Sequence, residues 1–383
     1  SESNNMPPLI ISSAFDSGNI ACLSADSPEN IQLEILKDYN SDFYQWFYFR
    51  LSGAYGQKCK LHIGNASGAA YTKGWINYRA VASENKKDWK RIKTNFIDGV
   101  LTFEYTPKTD SIWFAYFAPY TTERHNDLIA TAQQSSRANI SVLGKTLDGQ
   151  DIDLVRVGKE QPNKKICWII ARQHPGESMA EWWMEGLIDR LIYSDDNLTR
   201  DILEKIVFYL VPNMNPDGTK RGHLRTNAAG VNLNREWLSP TMMRSPEVFK
   251  VREKMLETGV DFCLDVHGDE ALPYNFLTGM MGIPSLSDRQ KSLRLKFDNA
   301  LLKSSNDFQT EYGYPASPPG KGNLSMCANY IAEKFGCLSL TLEMPFKDND
   351  NNPDPIFGWS PDRSKAFGSA HLEAISAIAE DLR

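Results

Sequence analysis

Short alternating or aromatic-rich hydrophobic runs dominate the first third of the chain. They cover 31–36, 43–51, 58–63, 75–81, 100–105 and 111–117, and turn-forming clusters such as Gly53-Ala-Tyr-Gly56, Gly64-Asn-Ala-Ser-Gly68 and Pro107-Lys-Thr-Asp110 separate them. Strands at such spacing predict a β-sandwich. After Pro119 the pattern changes. Helical periodicity near 121–136, 178–193, 245–258, 287–307 and 324–335, and from about 363 onward, alternates with apolar runs at 152–157, 164–171, 205–212, 260–266 and 337–343. That alternation predicts an α/β fold in which a mixed, mostly parallel sheet is sandwiched by helices. The chain therefore divides into an N-terminal β-sandwich domain, residues 1–121, and an α/β/α domain, residues 122–383.

Composition narrows the functions open to this fold. With 383 residues, 41% of them hydrophobic, the chain can bury at least one large core. The net charge is -6 and no run of Lys or Arg is interleaved with aromatic residues, which disfavours nucleic acid and anionic membranes as partners. The longest apolar stretch, 166–171, is far too short to cross a bilayer. Lys37 is the first basic residue, so the charged region of a signal peptide is not expected. Six cysteines, at 22, 59, 167, 263, 327 and 337, contain no C-x-x-C pair and read as small, reduced core residues, which favours a cytoplasmic location.

Candidate chemistry gathers where the parallel strands end, the place where open α/β sheets carry their sites. His174-Pro-Gly-Glu177 follows the 164–171 run, Asp265-Val-His267-Gly268 closes the 260–266 run, and Glu343 closes the last one. A His-x-x-Glu pair is expected about once by chance in such a chain, so the pair alone carries little. Its setting says more. Pro175 and Gly176 make a tight turn after a buried strand, and Ser178 with Glu181 is expected to cap the next helix. Asp265 shares a sheet face with His267 and can orient its ring. A carboxylate such as Glu343 at the end of an apolar strand needs a metal, a cation or a proton. Two His, one Glu and a remote Glu are the supply of a catalytic zinc site, with three ligands and an open position. Between these motifs lies a donor-rich stretch, Asn213 to Gly218 and Arg225 to Trp237, in which Arg235 offers a planar fork for a carboxylate and Asn234 a neutral donor beside it. His62, His125, His223 and His371 lack a partner at ligand spacing and read as surface or ordinary packing residues. Neither a Gly-x-Ser-x-Gly elbow nor a Walker loop is present.

The order His174-x-x-Glu177, Asn215-Pro-Asp-Gly218, Arg225, Asn234-Arg235, His267, Glu343 resembles the zinc metallocarboxypeptidases of the carboxypeptidase A superfamily, peptidase family M14. Trp46-Phe-Tyr-Phe-Arg50 and Phe114-Ala-Tyr-Phe-Ala-Pro-Tyr-Thr121 resemble the cytosolic carboxypeptidase branch with its N-terminal β-sandwich. The resemblance implies one zinc per chain on His174, Glu177 and His267, with Glu343 as general base towards a zinc-activated water and later as acid. It implies that Arg225 polarises the scissile carbonyl, and that Asn234 and Arg235 hold the terminal carboxylate of a peptide or protein. A loop tyrosine is also implied; Tyr312 and Tyr314 are both candidates, with Tyr314 favoured. Lys321, Asn323, Ser325 and Ala328 are candidate linings of the side-chain pocket, and the branch suggests a preference for acidic (Glu) terminal residues. On the residues alone two alternatives remain, a zinc amidohydrolase of N-acyl amino acids and a metal-bound, non-catalytic peptide-binding protein.

Overall fold

The computed structural model describes residues 7–383. Among them the N-terminal region contributes strands β1 (Ile10–Ser12), β2 (Ala21–Ser24), β3 (Ile31–Glu34), β4 (Tyr48–Ser52), β5 (Cys59–Ile63), β6 (Val81–Ser83), β7 (Lys90–Arg91), β8 (Thr94–Ile97), β9 (Val100–Tyr105) and β10 (Ser111–Ala115). They form two sheets, β1-β4-β10-β6-β7 and β2-β3-β5-β9-β8. Alternation drives the packing: Cys59, Leu61 and Ile63 of β5 are buried while Lys60 and His62 between them are half-buried. Aromatic rings fill the space between the sheets, Phe103 of one lying 5.3 Å from Phe114 and 6.4 Å from Phe49 of the other.

One expected strand is corrected. Residues 75–81 do not pair as a strand; Thr72–Trp75 is a 3-10 turn, and only Val81–Ser83 joins a sheet. The aromatic residues that suggested a strand anchor a loop instead. The Trp75 indole donates to the Ala66 carbonyl at 2.9 Å and the Tyr78 hydroxyl to that of Tyr116 at 2.6 Å.

The rest of the chain forms α1 (Thr122–Gln133), β11 (Ala138–Lys145), β12 (Asp151–Val157), β13 (Lys165–Ala171), α2 (Met179–Tyr193), α3 (Asn197–Lys205), β14 (Ile206–Val211), α4 (Pro216–Arg221), α5 (Pro246–Thr258), β15 (Phe262–Asp269), β16 (Phe276–Thr278), α6 (Asp288–Ser304), α7 (Cys327–Phe335), β17 (Leu338–Pro345) and α8 (Pro361–Ile378). The sheet order is β11-β12-β14-β13-β15-β17-β16. The central run β14-β13-β15-β17 is parallel, and β11, β12 and β16 are antiparallel additions at the edges. Residues of β13 alternate between two helix layers. Cys167, Ile169 and Ala171 face the core that holds α2 and α8, and Trp168 and Ile170 face the core that holds α5 and α7. The edge strands β11 and β16 and the short α3 were not expected from the sequence.

The two regions share one core. The Tyr116 ring stacks on Phe346 at 4.6 Å, joining the end of the sandwich to the end of β17. Arg91 of β7 is buried and donates to the carbonyls of Phe346 (2.7 Å), Trp359 (2.8 Å), Phe357 (3.0 Å) and Arg79 (2.8 Å). Burial pulls its pKa down to about 10. No helix is long and apolar enough to cross a membrane among the described residues. All six cysteines are free, and all but Cys22 are buried.

Candidate active site

Strands β13, β15 and β17 lie side by side, and each delivers one part of the site at its carboxyl end. His174 and Glu177 sit on the turn after β13, while His267 and Glu343 are direct register partners on β15 and β17. Ligand atoms of His174, Glu177 and His267 lie within 4.8 Å of one another, and all three residues are buried. Glu177 Oε2 is 2.7 Å from His174 Nδ1, and Glu177 Oε1 is 3.0 Å from His267 Nδ1 and accepts the Gly268 N–H at 2.8 Å.

The far side of each imidazole decides what this cluster can hold. His267 Nε2 lies 2.7 Å from Asp265 Oδ2, and a carboxylate only accepts, so Nε2 carries the hydrogen. His174 Nε2 lies 2.8 Å from Asn232 Oδ1, whose orientation is set because it also accepts the Asn234 N–H at 3.0 Å. With Nε2 of each ring committed outward, each Nδ1 points at Glu177, and a proton or a cation must stand between nitrogen and carboxylate. Three acceptors converging in a buried site suit a cation, and two imidazoles with one carboxylate suit zinc. Asp265 is itself held by Gln173 Nε2 at 2.7 Å, and Gln173 by the Trp237 indole at 2.8 Å.

The turn is built differently from its sequence reading. Ser178 and Glu181 do not form a capping pair. Ser178 is already helical in backbone (φ -64°, ψ -26°), makes no cap bond and donates to the Ala118 carbonyl at 2.9 Å. Glu181 is drawn into a buried ionic network, pairing with Arg172 Nη1 at 3.0 Å and His125 Nδ1 at 2.6 Å, while His125 Nε2 reaches Asp153 at 2.8 Å. His125 is thus more than ordinary packing. Burial works against its charge, but Glu181 and Asp153 outweigh burial and hold its pKa at about 9. Arg172 occupies the left-handed region at φ 61°, and its guanidinium donates to the Pro175 carbonyl at 2.5 Å, tying the turn from below.

A cavity of about 450 Å³ opens from His174, Glu177 and His267. Glu343, Arg225, Asn234, Arg235 and Tyr314 all line it, so the site residues expected from the sequence meet in one place. Glu343 Oε2 is buried without a hydrogen-bond partner. Burial and the Glu177, Asp269 and Glu270 carboxylates push its pKa well above the usual range, against the pull of His267. Asn234 Oδ1 accepts the Cys327 N–H at 2.9 Å, which commits the oxygen and leaves the amide nitrogen for the cavity. The Arg235 pKa is lowered by burial and by Arg225, the cost of placing two guanidinium groups at one wall. Such a wall receives an anion. Tyr314 binds Asp269 through its hydroxyl, whereas Tyr312 stacks on Tyr274 at 4.4 Å outside the cavity.

Other expectations are redistributed. Ala328 lines the cavity with Leu277, Met280 and Thr341, but Lys321, Asn323 and Ser325 are not part of its wall. Arg294 of α6 also lines it, donating to the Leu277 carbonyl at 3.0 Å and pairing with Asp298 at 3.2 Å. The Asn215-Pro-Asp-Gly218 stretch serves structure. The Asn215 side chain caps α4 by accepting the Gly218 N–H, and its amide donates to the Gln173 carbonyl at 3.0 Å. Tyr71, Asn232, Glu270 and Arg294 went unrecognised in the sequence. Of these only Asn232 carried a signal, its place two residues before Asn234 in the donor-rich stretch.

Comparison with known proteins gives the family. Residues 125–364 match the zinc carboxypeptidase family and residues 11–117 match the cytosolic carboxypeptidase N-terminal domain. A metallo-carboxypeptidase structure from Burkholderia cenocepacia is 47% identical, covers 97% of this chain and 99% of its own, and superposes with a TM-score of 0.95. One from Pseudomonas aeruginosa, in complex with (2-guanidinoethylmercapto)succinic acid, is 43% identical over 98% of this chain and 100% of its own, with a TM-score of 0.95. Cytosolic carboxypeptidase 6 of Caenorhabditis elegans is 26% identical over 96% of this chain and 86% of its own length. The chain belongs to the zinc carboxypeptidase family, peptidase family M14, and carries the N-terminal domain of its cytosolic carboxypeptidase branch. It is a peptide hydrolase of the metallocarboxypeptidase type.

Proposed function

We propose that the chain removes the C-terminal residue of a peptide or protein with one zinc ion held by His174, Glu177 and His267. The observation that carries this reading is the open side of the ligand cluster, where the unpartnered Glu343 carboxylate and the Arg225–Asn234–Arg235 wall meet in one cavity. When bound, zinc supplies a Lewis acid for water and for the scissile carbonyl. Glu343 takes the proton from the attacking water and hands it to the departing amine; its raised pKa suits both halves of that task. Arg225 faces the carbonyl oxygen, where charge develops. Asn234 Nδ2 and Arg235 receive the terminal carboxylate, which sets the register for removing one residue. Tyr314, on its loop beside Asp269, closes over the bound terminal residue.

For the terminal side chain we propose an acidic preference, with Arg294 in the role first sought in Lys321. The guanidine-bearing ligand of the Pseudomonas enzyme favours the opposite reading, a basic terminal residue. We also propose that the chain divides into domains at residues 121 and 122, and that it works in the cytosol, as the names of its relatives suggest.

The test is mass-spectrometric trimming of a free-ended peptide library by zinc-loaded protein, chelated protein and Glu343→Ala. Loss of single C-terminal residues from free but not amidated peptides, by the zinc-loaded protein alone, is the expected result. Terminal Glu released faster than Arg or Leu supports the Arg294 assignment, and Arg released fastest overturns it. Turnover confined to N-acyl amino acids sinks the carboxypeptidase reading.

A further inference from the structure

The loop that carries Arg225 is held mainly by the N-terminal sandwich. Asp38, in the connection between β3 and β4, is buried, and its carboxylate accepts four hydrogen bonds from three consecutive residues of that loop. Leu224 N–H reaches Oδ1 at 2.7 Å, and the N–H groups of Arg225 and Thr226 reach Oδ2 at 2.8 and 2.9 Å. The Thr226 hydroxyl adds a fourth at 3.0 Å. Successive amides pointed at one carboxylate fix the backbone direction at Arg225, since each is a charge-assisted bond that water would have to replace inside the protein.

The side chain is gripped as well. The Arg225 guanidinium lies between two aromatic faces of the N-terminal region, Phe43 at 5.5 Å and Tyr71 at 5.4 Å. Its Nε is buried without a hydrogen-bond partner, so the planar group is oriented by these rings and its remaining donors stay available to the cavity. The loop is fastened on both sides of Arg225. Tyr39 N–H donates to His223 Nε2 at 3.1 Å, and Asn40 Nδ2 donates to the Ala229 carbonyl at 3.2 Å. Gly222 and Gly230 both adopt positive φ, and a Cβ on either would lie 2.4 Å from a backbone carbonyl oxygen, that of Gly18 or of Asn40. Glycine is needed at both positions for the two regions to approach this closely.

The same loop reaches the metal turn. Leu224, whose N–H Asp38 holds, accepts the Gly176 N–H at 2.9 Å through its carbonyl. One short relay therefore runs from the sandwich, through the Arg225 loop, to the turn that bears His174 and Glu177.

We propose that Asp38 is a positioning residue for Arg225, with Phe43 and Tyr71 as its side-chain clamp, so that the N-terminal domain is a working part of the active site. This rests on the role given to Arg225 above. If the arginine stabilises charge only as the carbonyl is attacked, its placement governs kcat more than KM, and loosening it costs rate even though every group remains present.

The test is a double-mutant cycle of Asp38→Ala and Arg225→Ala, with kcat and KM on a free-ended peptide, bound zinc per chain and thermal unfolding recorded for all four proteins. Arg225→Ala is expected to lower kcat roughly a hundredfold or more. Asp38→Ala is expected to lower kcat roughly ten- to a hundredfold with little change in KM or zinc content, and to have almost no further effect once Arg225 is gone. Equal losses from Asp38→Ala on both backgrounds would overturn the proposal, because the aspartate would then act on the fold at large. Normal kcat in Arg225→Ala would remove the role of Arg225 itself and the proposal with it. Phe43 is 37% exposed, so Phe43→Leu gives a second cycle that does not threaten folding. It is expected to lower kcat roughly two- to fivefold only while Arg225 is present. No change in the Arg225 protein would count against the clamp.

Discussion

The turn from His174 to Glu177 and the loop from Leu224 to Asn234 reach the same cavity by opposite routes. The turn is made mostly by its own domain: β13 aims it, Asn232 and Asp265 orient the rings of His174 and His267, and Arg172 ties it from beneath. The first half of the loop is made by the other domain, through Asp38, Phe43, Asn40 and Tyr71. Ligands for a metal tolerate little drift in distance, and neighbouring strands of one sheet supply that rigidity. A group that meets only developing charge can be brought in from elsewhere, provided that something holds it still.

The largest effects are expected on the turn. His174→Ala, or chelation, should reduce bound zinc well below one per chain and take activity to background, and full activity in zinc-free protein would break the comparison at its base. Glu343→Gln should retain zinc and lower kcat roughly a hundred- to ten-thousandfold, measured on the same peptide. Arg91→Ala leaves four carbonyls without their donor, those of Phe346 and Trp359 buried, and should cost about 3 kcal/mol in urea unfolding. A loss under about 1 kcal/mol would mean that the domains are joined more weakly than their shared core implies.

Beneath the turn, His125 gives a pH-dependent effect. Its folded pKa of about 9 lies above the value near 6.5 of an unfolded histidine, so its stabilisation is complete below about pH 6.5 and is lost as pH rises through 9. This amounts to about 3 kcal/mol. Unfolding free energy should fall between pH 7 and 10 in the wild type and flatten in His125→Gln; identical slopes would exclude the network as the source. The smallest change is expected for Ser178→Ala, about 1 kcal/mol, because the Trp182 indole keeps a bond to the same Ala118 carbonyl at 3.0 Å.

The same contrast explains what the sequence made legible. Strands β13, β15 and β17 are continuous apolar runs, and a His, Asp or Glu at such an end stands out, so the candidate ligands and Glu343 could be named from residues a few positions apart. Asp265 beside His267 followed from the two-residue period of a strand. Asp38 was invisible because its partners lie 186 to 188 positions away and an acidic residue in a loop carries no signature. Arg294 sits on a charged, amphipathic helix, where one arginine resembles any other until the helix is packed. Ser178 and Glu181 matched a capping pattern, yet both side chains found stronger partners across the fold. Trp75 and Tyr78 read as strand residues for the same reason: burial was legible, but the backbone path was not.

His267 and Glu343 face each other across a parallel pair in register. Adjacent strands lie about 4.8 Å apart, a distance set by the backbone hydrogen bond. The gap between the proposed metal ligand and the proposed proton carrier is thus ruled off by the sheet, in a unit that every β-structure shares. Loops around the cavity can lengthen, change charge or exchange one terminal residue for another as substrate, and the reacting groups keep their spacing. A single inserted residue within β15 or β17 would slip that ruler by one notch, turn one of the two side chains to the opposite face and silence the chemistry without touching any residue named for it.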